Sequence, residues 1–365
     1  MKWSWKLGEF AGIGVYVHAT FVLLIGFLAL THWRQGHSLA VMAAGVGFIL
    51  ALFACVVLHE FGHALTARRY GIKTRDITLY PIGGVARLER MPDDPRQELR
   101  VALAGPAVNV IIAAGLFAGL QFTGAWQPLS ELSITTGSFI ERLMLVNVFL
   151  AAFNMVPALP MDGGRVLRAL LATRMDYMRA TQIAATLGQS VAFLFGLIGL
   201  LTNPFLIFIA LFVWIGAAQE ASMVQMKSAL AGIPVSRAML TDYRTLAATD
   251  RLARAIDLIV AGSQQDFPVI EDGGVVGILT RTDLLVGVSQ RGPEAGVGEV
   301  MRREFRIAAS GEMLETAFAR LQECDCHTMP VIDKGQLVGL VTMENVGEFL
   351  MIQAALGSAA RSVHI

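Results

Sequence analysis

The segment Val56-Val57-Leu58-His59-Glu60-Phe61-Gly62-His63 decides which fold and chemistry the sequence predicts. On a helix, the spacing of His59 and His63 places both imidazoles on one face, where they can bind one zinc ion. Glu60 then lies beside the ion, in position to accept a proton from water. The run from Leu39 to Leu58 has no charged residue and can cross a hydrocarbon core of about 30 Å. A zinc-hydrolase motif at the end of such a run predicts hydrolysis within or beside a lipid bilayer.

A short pattern of this kind also arises by chance in proteins that bind no metal. The apolar context favours the metal-binding interpretation, because ionisable residues against a membrane span are costly to keep and usually have a function. Three ionisable residues clustered there are difficult to explain as side chains that face lipid.

The composition predicts a membrane domain followed by a soluble one. The chain has 365 residues, of which 55% are hydrophobic and 16% charged, and this is too apolar for an ordinary soluble enzyme. Apolar residues are concentrated before Val224, so we predict a membrane domain at 1–223 and a linker at 224–234. The formal net charge of zero argues against binding to nucleic acid.

Six transmembrane helices are predicted, at 13–30, 39–66, 101–122, 138–157, 182–201 and 204–222. Basic residues are concentrated on the side of the chain termini, which predicts a multi-pass membrane protein with cytoplasmic N- and C-termini. On that side lie Lys2, Lys6, Arg68, Arg69, Lys73, Arg75, Arg87, Arg90, Arg96, Arg100, Arg165, Arg168, Arg174 and Arg179. Only Arg34 and Arg142 fall on the outer side, so the zinc motif is expected near the cytoplasmic face.

A third zinc ligand is predicted in the segment Asn154-Met155-Val156-Pro157-Ala158-Leu159-Pro160-Met161-Asp162-Gly163-Gly164. A catalytic zinc takes three protein ligands and keeps one position open. Pro157 and Pro160 cannot continue a helix, so the fourth span must break near them. The following glycine pair allows a tight turn. We therefore expect Asp162 on an irregular loop on the same side as the zinc motif; an ordinary helix end with an N-cap aspartate is the alternative.

With both motifs present, the chain resembles the site-2 protease family of intramembrane zinc metalloproteases. The resemblance implies one zinc ion per chain, held by His59, His63 and Asp162. It implies that Glu60 is the general base and that Asn154 is a further catalytic residue, which binds substrate or the developing oxyanion. An asparagine inside the membrane could instead bridge helices. The implied substrate is a single-span membrane protein, such as an anti-sigma factor or a membrane-held transcription factor.

Two further segments resemble the same family. The run from Ala104 to Asn109 opens the third span with small residues, which also permit close helix packing. Strands are predicted at Thr74 to Tyr80 and Val85 to Arg90, around Pro81-Ile82-Gly83-Gly84. In the family this region is a β-layer whose edge can pair with an extended substrate, although a purely structural hairpin is an alternative. The substrate-binding candidates are Gly83, Gly84 and Asn109.

The chain after residue 235 contains an internal repeat with a period of 62 residues. The matched pairs are Met239 and Met301, Leu252 and Leu314, Ala255 and Ala317, Pro268 and Pro330, Gly277 and Gly339, and Thr280 and Thr342. Each copy predicts an extended lead-in, an amphipathic helix, two short strands and a second helix. The copies span 235–290 and 297–352, and 353–365 is predicted to be a C-terminal tail.

This repeat resembles a tandem pair of cystathionine-β-synthase (CBS) domains, which commonly bind adenine nucleotides and dimerise. The pattern Gly-x-x-Thr-x-x-Asp is present at Gly277, Thr280 and Asp283. The second copy keeps Thr342 but has Asn345 in place of the aspartate. The resemblance therefore implies one competent site for ATP, ADP or AMP, formed by the first three residues and Thr342, and a homodimer. A pair that serves only dimerisation is the alternative.

The predicted fold is a polytopic α-helical membrane protein, with six transmembrane helices and a small β-layer, followed by an α/β tandem CBS module. The predicted function is zinc-dependent intramembrane proteolysis under nucleotide control. A CBS-regulated transporter or channel, and a scaffold that binds membrane proteins without cleaving them, are the alternatives. The cluster Cys324, Cys326 and His327 has a spacing unusual for zinc, and we expect reduced cytoplasmic thiols there.

Overall fold

A computed structural model describes residues 3–36, 38–81, 83–92, 94–123, 137–323 and 328–362. The chain divides into two compact units, Met1–Val224 and Gln225–Ile365. The predicted cluster of Cys324, Cys326 and His327 lies outside the described residues.

The first unit is mainly helical and carries one small sheet. Its helices are α1 (Ala19–Arg34), α2 (Leu39–Arg68), α3 (Pro95–Phe122), α4 (Phe139–Asn154), α5 (Asp162–Ala172), α6 (Tyr177–Leu201) and α7 (Phe205–Leu230). Among the described residues, α2, α3, α6 and α7 are long and apolar enough to cross a membrane. Helices α1 and α4 have 16 residues each, so four spans satisfy length and composition where six were predicted.

The first predicted span, 13–30, is wrong in its N-terminal part. Residues Ser4–Phe10 (β1) and Ile13–His18 (β2) form a hairpin, and α1 begins only at Ala19. The turn is made by Ala11 and Gly12, whose φ angles of 51° and 76° are left-handed. Alternate residues of β2 are buried, a period of two that marks a strand. The strand was missed in the sequence because it continues directly into an apolar helix, and the two together have the length of one membrane span.

The β-layer has four strands in the order β1-β2-β3-β4, where β3 is Thr74–Tyr80 and β4 is Gly83–Leu88. The β2–β3 pair is parallel and the other pairs are antiparallel. The predicted bounds of β3 are confirmed, and β4 begins two residues before its predicted start. The sheet packs against α2 through Ile77 on Ala64 and through Leu79 on Phe53. Strand β4 is therefore an edge strand beside the helix that carries the zinc motif.

The fourth predicted span breaks at the two prolines as expected, since α4 ends at Asn154. The expectation that Asp162 lies on an irregular loop is wrong, because it is the first residue of α5. Gly163 and Gly164 belong to the first turn of that helix. A Cβ on Gly163 would lie 2.4 Å from the Met155 carbonyl, and one on Gly164 would lie 2.3 Å from the Leu159 nitrogen. The glycines thus let α5 pack against the preceding backbone, and they do not form a turn.

The second unit repeats one pattern twice, as the 62-residue period predicted. The first copy contains β5 (Leu246–Ala247), α8 (Leu252–Ala261), β6 (Phe267–Glu271), β7 (Gly274–Leu279) and α9 (Arg281–Arg291). The second contains β8 (Ala308–Ala309), α10 (Leu314–Glu323), β9 (Thr328–Asp333), β10 (Gln336–Thr342) and α11 (Met343–Ser362). Each copy has its own three-stranded sheet. Each of the two apolar cores also includes residues from the lead-in of the other copy, Val235 and Ala238 in one and Val297 and Met301 in the other.

The predicted linker and tail both contain more helix than the sequence suggested. Helix α7 continues to Leu230, so most of 224–234 is helical. Helix α11 continues to Ser362, so the predicted tail at 353–365 is helical as far as it is described.

Candidate metal centre

Three ligand atoms form a nearly regular triangle at the end of α2. His59 Nε2 and His63 Nε2 are 3.1 Å apart, and the Asp162 Oδ2 atom is 3.2 Å from the first and 3.1 Å from the second. Ligands bound at about 2.0–2.1 Å to a tetrahedral zinc ion lie about 3.3 Å from one another. All three residues are buried. The donor set, its spacing and its burial therefore fit one zinc ion.

The surroundings of Asp162, the third candidate ligand, favour the ionised form of its carboxyl. Burial opposes ionisation of Asp162, but the two imidazoles beside it outweigh that effect and hold the pKa of its carboxyl below the ordinary range. A carboxylate is the form that binds zinc. Asp162 lies in the first turn of α5, so the helix that begins there determines where this ligand is held.

Helix α3 packs its backbone directly against the two imidazoles. A Cβ on Gly105 would lie 2.2 Å from His63 Nε2 and 2.6 Å from His59 Nε2. A Cβ on Gly62 would lie 2.7 Å from the Ala104 carbonyl oxygen, so the two helices also approach closely on the α2 side. Gly105, one of the small residues predicted to open the third span, therefore leaves the space that the two imidazoles occupy.

Glu60, the predicted general base, is held by the edge of the β-layer. Its Oε2 atom accepts a hydrogen bond of 3.2 Å from the Ala86 backbone nitrogen in β4. A Cβ on Gly84 would lie 3.0 Å from Glu60 Cγ, so glycine permits β4 to pass close to the base. Gly83, with φ of 142°, has open space where its Cβ would be. The edge of β4 and the proposed base are therefore immediate neighbours.

The two predicted asparagines occupy different environments. Asn154 is the last residue of α4 and is half-buried, and its side chain makes no hydrogen bond with any residue that the structure describes. Asn109 is 0% exposed, and its Oδ1 atom lies 2.5 Å from His59 Nδ1. Its Nδ2 donates to Asn147 Oδ1 at 2.9 Å. Both polar groups of Asn109 are therefore engaged by His59 and Asn147, and its binding of substrate stays a prediction.

A buried ion network, which the sequence analysis missed, fixes α5 in place. Arg168 in α5 is 1% exposed, and it donates through Nε at 2.8 Å and through Nη2 at 2.5 Å to Glu98 Oε1 in α3. Its Nη1 donates at 3.0 Å to Glu220 Oε1 in α7. The network joins three helices and holds the helix that begins with Asp162. The available signal was Glu220, an ionisable residue in the apolar helix α7.

We expect Arg168→Met to destabilise the membrane unit by about 3–5 kcal/mol, because it leaves the Glu98 carboxylate buried without its partner. Thermal unfolding of the purified protein in detergent measures the change. Arg174→Met removes an exposed arginine just after the same helix and is expected to stay within about 0.5 kcal/mol of the parent. Equal stability of the two variants would contradict a role for the network.

The nucleotide-binding candidates of the first CBS copy lie together at the start of α9. The Thr280 hydroxyl oxygen caps the helix by accepting from the Asp283 backbone nitrogen at 3.1 Å. The Asp283 carboxylate accepts from Arg302 Nε at 2.6 Å and Nη2 at 3.2 Å. Arg302 belongs to the lead-in of the second copy. In the second copy, Thr342 caps α11 in the same way through Asn345, whose side chain is neutral.

The repeated glycines have a structural explanation. A Cβ on Gly277 would lie 2.7 Å from Met301 Sδ, and a Cβ on Gly339 would lie 2.8 Å from Met239 Sδ. In each copy the lead-in of the other copy crosses at this point, through the bridges Ile278–Arg302 and Leu240–Leu340. The glycines therefore permit the two copies to interlock, whether or not a nucleotide is bound.

Comparisons with known proteins match both parts of the chain. The model of peptidase family M50 matches residues 47–136 and 129–198, and the CBS domain model matches 235–289 and 297–351. The chain is 36% identical over 281 residues to zinc metalloprotease MJ0392 of Methanocaldococcus jannaschii, covering 76% of this chain and 78% of that protein. It is 28% identical to sll0528 of Synechocystis, with 96% of each chain covered. A solved site-2 protease from M. jannaschii is 38% identical and covers 60% of this chain and 95% of that one, with a TM-score of 0.46.

Proposed function

Since the chain belongs to peptidase family M50, the site-2 proteases, and is a zinc metalloprotease with a tandem CBS pair, we propose that it cleaves single-span membrane proteins within the bilayer. The observation that carries the proposal is the ligand triangle of His59, His63 and Asp162 at the end of an apolar helix. Substrates of this class include anti-sigma factors and membrane-held transcription factors. Their hydrolysis needs a metal site that water can reach at membrane depth.

The proposed role of Glu60 is supported by its position next to the two histidines in the sequence, and that of Asn154 by the resemblance of its segment to the family. His59, His63 and Asp162 would hold a zinc ion, which would lower the pKa of a water molecule to about 7 and would polarise a peptide carbonyl. The Glu60 carboxylate accepts a proton from that water and donates it to the nitrogen of the leaving amine. The Asn154 side chain, which has no partner among the described residues, donates a hydrogen bond to the developing oxyanion.

The substrate is proposed to bind as an extended segment along β4. A helical peptide bond has its carbonyl hydrogen-bonded and shielded, so the transmembrane segment must unwind before attack. Strand β4 is an edge strand that runs beside Glu60. Gly84 has no side chain, so it lets the strand backbone pass close to the Glu60 side chain. Gly83 and Gly84 are therefore the proposed substrate contacts. Residues that weaken a helix should favour cleavage of a substrate more than any one side chain does.

The proposed membrane arrangement keeps six spans and places both termini in the cytoplasm. Helices α1 and α4 serve as the two short spans, each of 16 residues. The excess of basic residues on the side of the chain termini supports this orientation. The zinc site then lies near the cytoplasmic face, from which water enters.

Cleavage in reconstituted vesicles tests the proposed function. A single-span reporter protein would be incorporated with the purified protease, and the product ends would be mapped by mass spectrometry. We expect new ends inside the transmembrane segment, together with sensitivity to a zinc chelator and recovery on adding zinc. Products that end only in the soluble regions would contradict intramembrane cleavage while leaving the metalloprotease assignment intact.

The CBS pair is proposed to bind one adenine nucleotide, to control proteolysis and to form a homodimer. The Gly-x-x-Thr-x-x-Asp pattern supports this proposal, with Asp283 as the proposed acceptor for the ribose hydroxyls and Gly277, Thr280 and Thr342 as the other proposed contacts. Because Asp283 is paired with Arg302, the ribose must share or displace this ion pair. The second copy has Asn345 at the matching position, so we propose no tight second site there.

Asp283→Asn is expected to weaken AMP or ATP binding at least tenfold, since a hydrogen bond to a charged group contributes about 1.5–3 kcal/mol. Calorimetric titration of the full-length protein measures the affinity and the number of sites. The matched control is Asp272→Asn, at an exposed carboxylate in the turn between β6 and β7, which should leave the affinity unchanged. Nucleotide binding that is equally strong in both variants would exclude Asp283 from the site.

A further inference from the structure

We propose that Asn147, a residue of α4 outside the predicted site, is a positioning residue for the zinc centre. It acts through Asn109 to fix the ring orientation and tautomer of His59. The inference rests on the proposed zinc ligands and concerns how one of them is held. Its test measures zinc binding, so that it can fail independently of substrate cleavage.

A continuous hydrogen-bonded chain connects α4 to the metal ligand. Asn147 Nδ2 donates to the Leu143 backbone carbonyl oxygen at 2.8 Å. Asn147 Oδ1 accepts from Asn109 Nδ2 at 2.9 Å. The Asn109 Oδ1 atom then lies 2.5 Å from His59 Nδ1. Both asparagines are 0% exposed, so no water competes for these groups.

The direction of every bond follows from the backbone carbonyl at the far end. A carbonyl oxygen can only accept a hydrogen bond, so the Leu143 carbonyl must face the NH₂ group of Asn147. The amide oxygen of Asn147 then faces Asn109. That oxygen in turn selects the NH₂ group of Asn109 and leaves its oxygen facing His59. Nδ1 must therefore carry a proton, and Nε2 is the nitrogen left for the metal.

The other histidine ligand needs no such chain. His63 Nδ1 lies 2.7 Å from the Val101 backbone carbonyl oxygen, which can accept but not donate. Its tautomer is fixed directly by the fold of α3. The tautomer of His59, by contrast, is determined through two side-chain amides. Rotation of either amide by 180° would exchange its donor and acceptor groups. Loss of Asn147 should therefore disturb one ligand and leave the other in place.

Packing alone does not explain asparagine at this position. The neighbouring buried residues of α4, Met144 and Ala151, are apolar, and an apolar side chain is less costly to bury in a membrane helix. A buried amide is stable only when its polar groups are satisfied, and Asn147 satisfies both through this chain. The orientation of the Asn147 side chain is thus tied to that of His59.

Asn147→Leu in the full-length protein is expected to reduce zinc affinity about 10–100-fold, measured by competition with a chelator. Without the acceptor at 147, the Asn109 amide can present its NH₂ group to His59, which then protonates on Nε2 and is lost as a ligand. Asn147→Ser, whose shorter side chain cannot reach Asn109, should give the same direction of change if the leucine variant accumulates poorly.

A rescue distinguishes positioning from general stability. In Asn109→Asp/Asn147→Leu, a carboxylate accepts from His59 Nδ1 in either orientation, so zinc affinity should recover to nearly that of Asn109→Asp alone. Met144→Ala, a packing change on the same helix, should lower the unfolding temperature without weakening zinc. Wild-type zinc affinity in folded Asn147→Leu, or equal weakening with and without Asn109→Asp, would overturn the proposal.

Discussion

Glu60→Gln is expected to abolish proteolysis while leaving zinc bound. Glutamine has the shape of glutamate but cannot take a proton from water, and loss of a general base costs about 10²–10⁴ in rate. Its amide oxygen can still accept from the Ala86 backbone nitrogen, which now holds the carboxylate at 3.2 Å. The contact between α2 and β4 should therefore survive. Cleavage of a reconstituted single-span substrate and zinc content per chain, measured on one preparation, provide the two readouts.

The matched control for this change is Glu89→Gln, an exposed carboxylate just after β4. It alters the charge of the protein by the same amount but lies outside the site, so cleavage should continue at the parental rate. Cleavage within tenfold of the parent in zinc-loaded Glu60→Gln would assign the base to another group. Loss of zinc in Glu60→Gln would instead show that the carboxylate supports the metal site.

The three candidate zinc ligands could be found in the sequence because the residues that mark each motif are close together in the chain. His59 and His63 are related by helix spacing alone, and prolines and glycines mark the segment around Asp162. The environment of Asp162 was harder to predict, since it depends on α5 packing its first turn on the backbone of 155–159. Asn147 carried only a weak signal, a polar residue in an apolar helix, and its partner became visible only where α4 meets α3.

The N-terminal hairpin was mispredicted for a different reason. The alternation of Ile13, Val15 and Val17 is typical of a strand. Because an apolar helix follows directly, the two elements form one hydrophobic run, and this run was predicted as a single transmembrane span. In the CBS pair, the repeat was visible because six matched positions share one spacing. The structural reason for the repeated glycines was not visible in the sequence, because Gly277 and Gly339 are required by contacts with the opposite copy.

Gly105→Ala is expected to abolish zinc binding, and proteolysis with it. The new methyl group would lie 2.2 Å from His63 Nε2 and 2.6 Å from His59 Nε2, both far inside van der Waals contact. Catalytic constellations tolerate displacements of only about 0.5 Å, so moving either imidazole breaks the ligand triangle. We expect zinc affinity to fall at least about 100-fold, because two of the three ligands are displaced together. Chelator competition on the purified protein measures the loss.

Gly115→Ala on the same helix is the matched control, since a Cβ there meets nothing within 4 Å. Alanine is more favourable than glycine inside a helix by about 0.5–1 kcal/mol, so both variants should favour helix α3. Loss of zinc in Gly105→Ala therefore cannot arise from a weakened helix, and the collision with the imidazoles is the remaining cause. Equal zinc affinity in the two variants would mean that α3 can move away from α2 at low cost. The close approach of Gly105 to the histidines would then have no functional role.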